Sequence, residues 1–527
     1  MRNDADREEM PAKEPSDRTL YESLKPFIGV IDDMPSDMSV NLDHYLYGTP
    51  KREIDSIGHR MTQPIQFPNE TRSNAARQVV SECEALALRT FTPTQAVLAK
   101  SAGVFHWTPE NRRLYDYSSG VLVANLGHNP KRWLGRLAGY MGWSAEMLKP
   151  SNGFDDYYAA VPLTAYNAVT EIETRATERL VKSLQASPGG GRLQTVMWAA
   201  SGSEAVQKAL WACLHRDESR DIILATRYGF HGKKGLAGAV TGCETDHDRD
   251  PRVKFIAFPM AECDDFSKSG AAFDPAPYVN ELEKVWAEYG NRLNCLITEP
   301  YLGGGGSYHP PVAYLQLLQR FCRAHDIAFI LDEVQANFGR CGRMFAFESY
   351  GIEPDFVTLG KGLGNGVPVS AAVGRADLIA SLKYGEASDT WSGNPLGCAA
   401  VLATLDEFEA NPILEHTRSL TAEFFAGLNR LKETGLIAKV RGEREGLVYG
   451  IECAPRGSLS ANEVAIRIVE ACYLGLGEDG IHLLGALAGK VLRISPPLTI
   501  SRADAKTSLD LLYDICLKLA ERLPSSR

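Results

Sequence analysis

No run of apolar residues in this chain is long enough to span a bilayer. The opening residues, Met1–Arg18, are dense in Asp, Glu, Lys and Arg where a secretory signal needs an apolar stretch, so neither membrane insertion nor export is expected. Basic charge is also in short supply. With 56 Lys and Arg against 66 Asp and Glu, the formal net charge is −10, which argues against a broad footprint for nucleic acid or acidic lipid. Small-molecule or protein partners fit better. The 11 cysteines are an odd number, and no two are spaced as a metal-ligand pair. A large chain without a disulfide framework belongs in a reducing compartment, here read as the cytoplasm, and no metal site is expected. Internal repeats and low-complexity tracts are missing as well.

What is there is ordinary globular usage: 527 residues, 44% hydrophobic and 23% charged, ample for a buried core. Met1–Arg18 reads as a mobile terminus, and Leu20–Gly58, with aromatics among Pro, Asp and Gly, as a segment able to dock on a surface. Helical spacing of apolar residues predicts a helix from Asn74 to about Leu88. Strands are expected over Ala96–His106 and Arg113–Tyr117, with a turn at Thr108–Asn111.

Between Thr195 and Val373, short apolar runs recur at Val196–Ala200, Ile222–Ala225, Val253–Phe258, Cys295–Thr298, Ala328–Leu331 and Phe356–Leu359. Continuous rather than alternating apolar character implies strands covered on both faces. The fold class is therefore α/β, a mostly parallel sheet with helices on both faces. A smaller α/β lobe follows, with helices over Ile413–Thr434 and Asp504–Leu523 and strands at Leu447–Glu452 and Val491–Ile494. In such sheets ligands sit beyond the carboxyl ends of the strands, so chemistry should lie just after each run.

Ser201-Gly202-Ser203-Glu204 follows the first run. It is either a phosphate seat at a helix N-terminus or an ordinary Ser cap with a tight turn. Asp332 ends another run; it can hold a cationic ring nitrogen through a charge-assisted hydrogen bond, or serve as a cap or structural ion pair. Lys361 follows Phe356–Leu359 with Gly360 and Gly362 on either side, a setting that lets a planar ligand approach an amine of lowered pKa suited to Schiff-base chemistry.

From about Ala96 to the C-terminus these residues resemble the class III aminotransferases, pyridoxal-phosphate (PLP) enzymes of fold type I. The motifs are Ser201–Ala205, Tyr228-Gly229-Phe230-His231-Gly232, Glu299-Pro300, Asp332-Glu333-Val334-Gln335, Lys361 and Thr390–Leu396. The resemblance implies a PLP-binding large domain over 166–405. It implies small-domain parts at 96–165 and 406–527, and an extension over 1–95 that either covers the active-site mouth, wraps a partner or is a passive surface arm.

By the same resemblance, Lys361 carries the cofactor as a Schiff base and moves protons, and Asp332 keeps the pyridine nitrogen protonated. Phe230 and Val334 flank the ring, Gln335 donates to its phenolic oxygen, and Gly202 and Ser203 hold the phosphate with Thr390 of a second subunit, so a homodimer is implied. His231 touches the cofactor or supports the turn, Glu299 touches it or orients neighbours, and Arg493 receives a substrate carboxylate or ties two lobes.

The implied activity is amino-group transfer from an amine or ω-amino acid to a keto acid. Racemase, decarboxylase or lyase chemistry on the same residues is the alternative, and a non-catalytic binding protein on the same fold a remote one. The stretch after Glu299-Pro300, Tyr301–Gly306, lacks the carboxylate that many members use to mask the arginine. That favours pyruvate or another keto acid over 2-oxoglutarate as acceptor.

Overall fold

A helix over Thr71–Cys83 opens the part of the chain that the computed structural model describes, residues 64–524 apart from 86, 87, 89, 152, 247, 248 and 264–272. All of it belongs to the unit Thr62–Arg527. The expectations for Met1–Arg18 and Leu20–Gly58, and the extension as far as residue 63, lie outside the described residues. The helix begins and ends earlier than apolar spacing predicts, because its inward face is polar. Arg77 is buried, donating to Glu70 Oε2 at 2.8 Å and to Tyr473 OH at 2.9 Å, whereas Val79 and Leu88 are exposed. A buried guanidinium needs partners, and Glu70 and Tyr473 fix where the helix docks.

The segment Ala96–His106 forms two strands rather than one. β1 (Lys100–Ala102) and β2 (Phe105–Trp107) pair as a hairpin around Gly103 at φ +59°, and β3 (Arg113–Asp116) pairs antiparallel with β2.

The central sheet contains β4 (Thr195–Ala199), β5 (Ile222–Thr226), β6 (Val253–Ile256), β7 (Leu293–Thr298), β8 (Ala328–Asp332), β9 (Phe356–Leu359) and β10 (Ser370–Gly374). Their order is β4-β10-β9-β8-β7-β5-β6, parallel except for β10, which runs antiparallel to both neighbours. Alternate residues enter opposite cores: Leu296, Phe329 and Leu331 face one, Cys295, Ile297, Ala328 and Ile330 the other. Two dry faces explain the unbroken apolar runs. The helix Gly202–Arg216 covers one face, and Glu171–Ala186 and Val312–Ala324 lie on the other.

Pro395–Ala410 packs against both Glu171–Ala186 and the helix Lys131–Met141. It begins with Pro395 in its first turn, after Asn394 Oδ1 accepts from Leu396 N at 3.0 Å and Gly397 N at 3.3 Å. With burial on every side it shows no amphipathic period.

In the C-terminal part β11 (Ile437–Gly442), β12 (Tyr449–Cys453) and β14 (Val491–Ile494) form an antiparallel sheet. β13 (Asp479–His482) leaves it and adds to β3 in parallel, so early and late segments share one sheet. Among the described residues no helix is long and apolar enough to cross a membrane.

Candidate functional site

Adjacent parallel strands β8 and β9 end side by side and deliver Asp332 and Lys361 to one edge of the sheet. Asp332 closes β8 and pairs in register with Thr358 of β9; Lys361 follows β9 at φ +48°, a left-handed conformation rare outside glycine. Asp332 is buried with both oxygens engaged. Oδ2 accepts from His231 Nδ1 at 2.7 Å, and Oδ1 from Val334 N at 3.0 Å and Thr358 Oγ1 at 2.8 Å. The carboxylate is thus held in one orientation by three elements.

Burial pushes the Lys361 amine down to about 7, helped by the nearby Arg493 guanidinium and opposed by Glu299 and Asp332. An amine at that value is substantially neutral, and nucleophilic, near physiological pH. The glycines beside Lys361 answer to protein neighbours. A Cβ on Gly360 would come within 2.6 Å of Ser370 Oγ on β10, and one on Gly362 would strike the Asn125 amide.

The turn after β4 forms the Ser cap that its sequence allows. Ser201 caps the helix, its Oγ accepting from Glu204 N at 3.3 Å, while the Glu204 carboxylate accepts from Ala200 N at 2.9 Å and Ser201 N at 3.1 Å. That leaves the N–H groups of Gly202 and Ser203, which a first helical turn cannot use internally, pointed outward at the positive end of the helix.

Glu299 is buried and pushed up to about 7 by that burial. It accepts from Phe230 N at 2.9 Å and Gly303 N at 3.2 Å, so it fixes the aromatic turn against the glycine run. Phe230 itself is partly exposed. Gln335 Oε1 accepts from Arg493 Nη1 at 3.2 Å, and Tyr301 OH donates to the Gln335 carbonyl at 3.3 Å. Arg493, on β14, is buried, burial lowers its pKa, and among the described residues it makes no ion pair.

Contacts, and for Lys361 the charges of Arg493, Glu299 and Asp332, gather ten of the eleven sequence-derived residues into one cluster. Gly202 abuts Val334, where a Cβ would come within 2.9 Å of Cγ1, Ser203 abuts Gly232, and Gly303 abuts Gln335. Thr390 stands apart. It is exposed on a turn that Lys208 anchors by donating to Asp389 Oδ2 at 2.6 Å and to Ser392 Oγ at 2.8 Å.

Sequence reading missed Thr358, Tyr301, Asn125 and Arg340. Thr358 carried a signal, a lone hydroxyl inside an apolar strand. Arg340 is buried and pushed down to about 10 by that burial. It donates to Leu447 O at 2.8 Å, Pro496 O at 2.7 Å and Asn125 Oδ1 at 2.7 Å, joining the segment after β8 to the C-terminal part.

These residues fit an aromatic phosphate cofactor. His231 Nε2 and Arg493 Nε are buried without hydrogen-bond partners, and the glycines at 202, 303 and 304 keep the cluster open where side chains would crowd Val334, Gln335 and Phe230. A buried carboxylate, a lysine of lowered pKa, helix N–H groups at a positive helix end and an arginine without a counter-ion among the described residues, at the carboxyl edge of an α/β sheet, are the groups that such a cofactor and an acidic substrate require.

A family model described as Aminotransferase class-III matches residues 155–516, and the chain belongs to that family. It is a PLP-dependent aminotransferase. Among curated relatives, the acetylornithine aminotransferase of Caldanaerobacter subterraneus subsp. tengcongensis is 29% identical over 81% of this chain and 96% of its own length. A leucine/methionine racemase of Thermococcus litoralis is 30% identical over 80% of this chain and 90% of its own. The ornithine aminotransferase of Toxoplasma gondii shares the fold, with a TM-score of 0.69, 21% identity and coverage of 86% and 96% of the two chains.

Proposed function

We propose that the cluster around Asp332 and Lys361 carries the catalytic chemistry, moving an amino group from an amine or ω-amino acid to a small keto acid. When bound, PLP supplies an electron-accepting ring conjugated to the substrate nitrogen. Lys361 is the residue that would hold it covalently, and its amine would serve as the base that moves the substrate proton. Asp332 keeps the ring nitrogen protonated, with His231 and Thr358 holding the carboxylate rather than acting on the ring. Phe230 and Val334 would hold the ring between them, Gln335 would donate to its phenolic oxygen, and Gly202 and Ser203 would hold the phosphate. Glu299 positions Phe230.

The observation that carries this reading is the pairing of a fully oriented buried carboxylate at the end of β8 with a lysine of lowered pKa at the end of β9. Borohydride reduction of the holoenzyme followed by peptide mapping tests it: the label is expected on Lys361, and a label elsewhere overturns the assignment.

Arg493 receives the substrate carboxylate. Its guanidinium donates to the neutral side chain of Gln335, and no acidic residue follows Glu299-Pro300 to mask it, so pyruvate or a similar keto acid is expected to outcompete 2-oxoglutarate as acceptor. The 30% identical racemase relative supports a second reading, racemisation on the same residues. Incubation with donor alone separates the two: an aminotransferase accumulates the amine form of the cofactor, and a racemase does not.

Thr390 completes the phosphate site of a second copy in a homodimer. Exposed Trp391 and Tyr384 beside it, and exposed Phe154, Tyr157, Leu163 and Val169 elsewhere, support an extensive subunit contact. The cytoplasm is the proposed location, on nine buried free cysteines out of eleven.

A further inference from the structure

We propose that the β1–β3/β13 sheet holds a divalent cation of the zinc class, ligated by His106, Asp116 and His482. One donor atom from each residue falls within 4.8 Å of the others. The sheet register explains the convergence. His106 on β2 lies opposite Leu114, two residues before Asp116 on the same face of β3, and His482 on β13 lies directly beside Asp116. His106 and Asp116 are buried, His482 half-buried.

The surroundings orient these groups as ligands. Asp116 Oδ1 is taken up by Ser118 N at 2.7 Å, Ser118 Oγ at 2.7 Å and Ser119 N at 3.1 Å, which turns Oδ2 toward the imidazoles. His106 Nδ1 bonds Ser101 Oγ at 2.7 Å, and with the proton there its Nε2 presents a lone pair 3.5 Å from Asp116 Oδ2. This is the arrangement by which a neighbouring hydroxyl or carbonyl sets the tautomer of a metal-binding histidine. His482 Nδ1 is buried with no hydrogen-bond partner.

A third imidazole stands by. His128 Nε2 lies 2.7 Å from Asp116 Oδ2, and its ring centroid is 4.4 Å from that of His106. Around tetrahedral zinc, bonds of about 2.0–2.2 Å separate ligand atoms by about 3.4 Å. The His106–Asp116 separation already meets that value, and the fourth position falls to His128 or a water.

An Asp116–His128 ion pair alone accounts for neither His106 nor His482. Nitrogen and carboxylate donors in this number select zinc over magnesium or calcium, which favour all-oxygen sets. Ligands from three strands make the ion a clip between the early strands and β13. They also stiffen the turn at Ser118–Ser119, which reaches Ser495, two residues past Arg493, through Ser119 Oγ donating to its carbonyl at 2.7 Å.

The test uses chelator-stripped holoenzyme titrated with zinc against a chromophoric chelator, with bound metal counted by elemental analysis. About one zinc per chain and an upward shift of Tm are expected. His106→Gln and His482→Gln, each checked for retained cofactor absorbance, should lower occupancy at least tenfold. Cobalt added to the wild-type holoenzyme provides a reading that needs no variant: visible d–d bands without a thiolate charge-transfer band are expected. Failure to bind one equivalent, stoichiometric binding that survives in both His→Gln variants, or a thiolate–cobalt band pointing to Cys83 or Cys243, overturns the proposal.

Discussion

Lys361 combines a left-handed backbone with an amine that burial pushes down to about 7. Its reactivity should follow its own titration. In apoenzyme the rate of covalent PLP capture is expected to rise with pH through about 7, as the neutral amine accumulates, and to level off above it. The sign follows from burial and Arg493, which both favour the uncharged form. Arg493→Met removes the guanidinium and should move the midpoint upward, which stopped-flow capture across pH would show; an unchanged or lower midpoint would sink the assignment. Lys361→Ala is expected to lower kcat by about 10³-fold or more while leaving the fold intact.

Thr358→Val removes one donor to Asp332 and should destabilise the protein by about 1 kcal/mol in denaturant titration. It should also lower kcat by less than Asp332→Asn does. Asp332 and Lys361 stood out in the sequence because each follows an apolar run, Asp332 directly and Lys361 after Gly360. Thr358 offered only its lone hydroxyl inside an apolar strand, and Tyr301 and Arg340 offered nothing, since their roles arise from the Gln335 carbonyl or from carbonyls at residues 447 and 496, which sequence order does not bring together.

At the scale of elements, the buried strands declared themselves. Two-sided burial demands apolar residues at every position, and the six runs match β4 to β9 within a residue or two at their ends. β10 was missed because Ser370-Ala371-Ala372-Val373-Gly374 is small rather than bulky, suited to lying between β4 and β9. Helix Pro395–Ala410 escaped for the opposite reason, being apolar on all sides. The Thr71–Cys83 helix was misplaced because it buries Arg77 instead of its valines.

The helix Gly202–Arg216 offers a separable pair of tests. Ser201→Ala deletes the cap and should cost about 1 kcal/mol of stability with a modest effect on PLP affinity. Gly202→Ala keeps the cap but drives a methyl to within 2.9 Å of Val334 Cγ1, so cofactor affinity should fall more than Tm.

Across the whole molecule, one protomer leaves Thr390 beside exposed Trp391 and Tyr384. Sedimentation is expected to find a dimer. Tyr384→Glu with Trp391→Glu should shift it toward monomer and weaken PLP retention together; a stable monomer of full activity would contradict the shared site.

The pairing of β3 with β13 also has a consequence for biosynthesis. Arg113 grips Asp479 through two bonds of 2.7 Å spanning 366 positions. At about 5–20 residues per second, a ribosome needs roughly 20 to 70 s to deliver the later strand after the earlier one. Throughout that interval β3 has an unsatisfied edge, open to strand pairing with other nascent chains. Slow, late closure of this sheet should therefore make production of the protein more sensitive to translation rate and chaperone supply than the depth of its central core would imply.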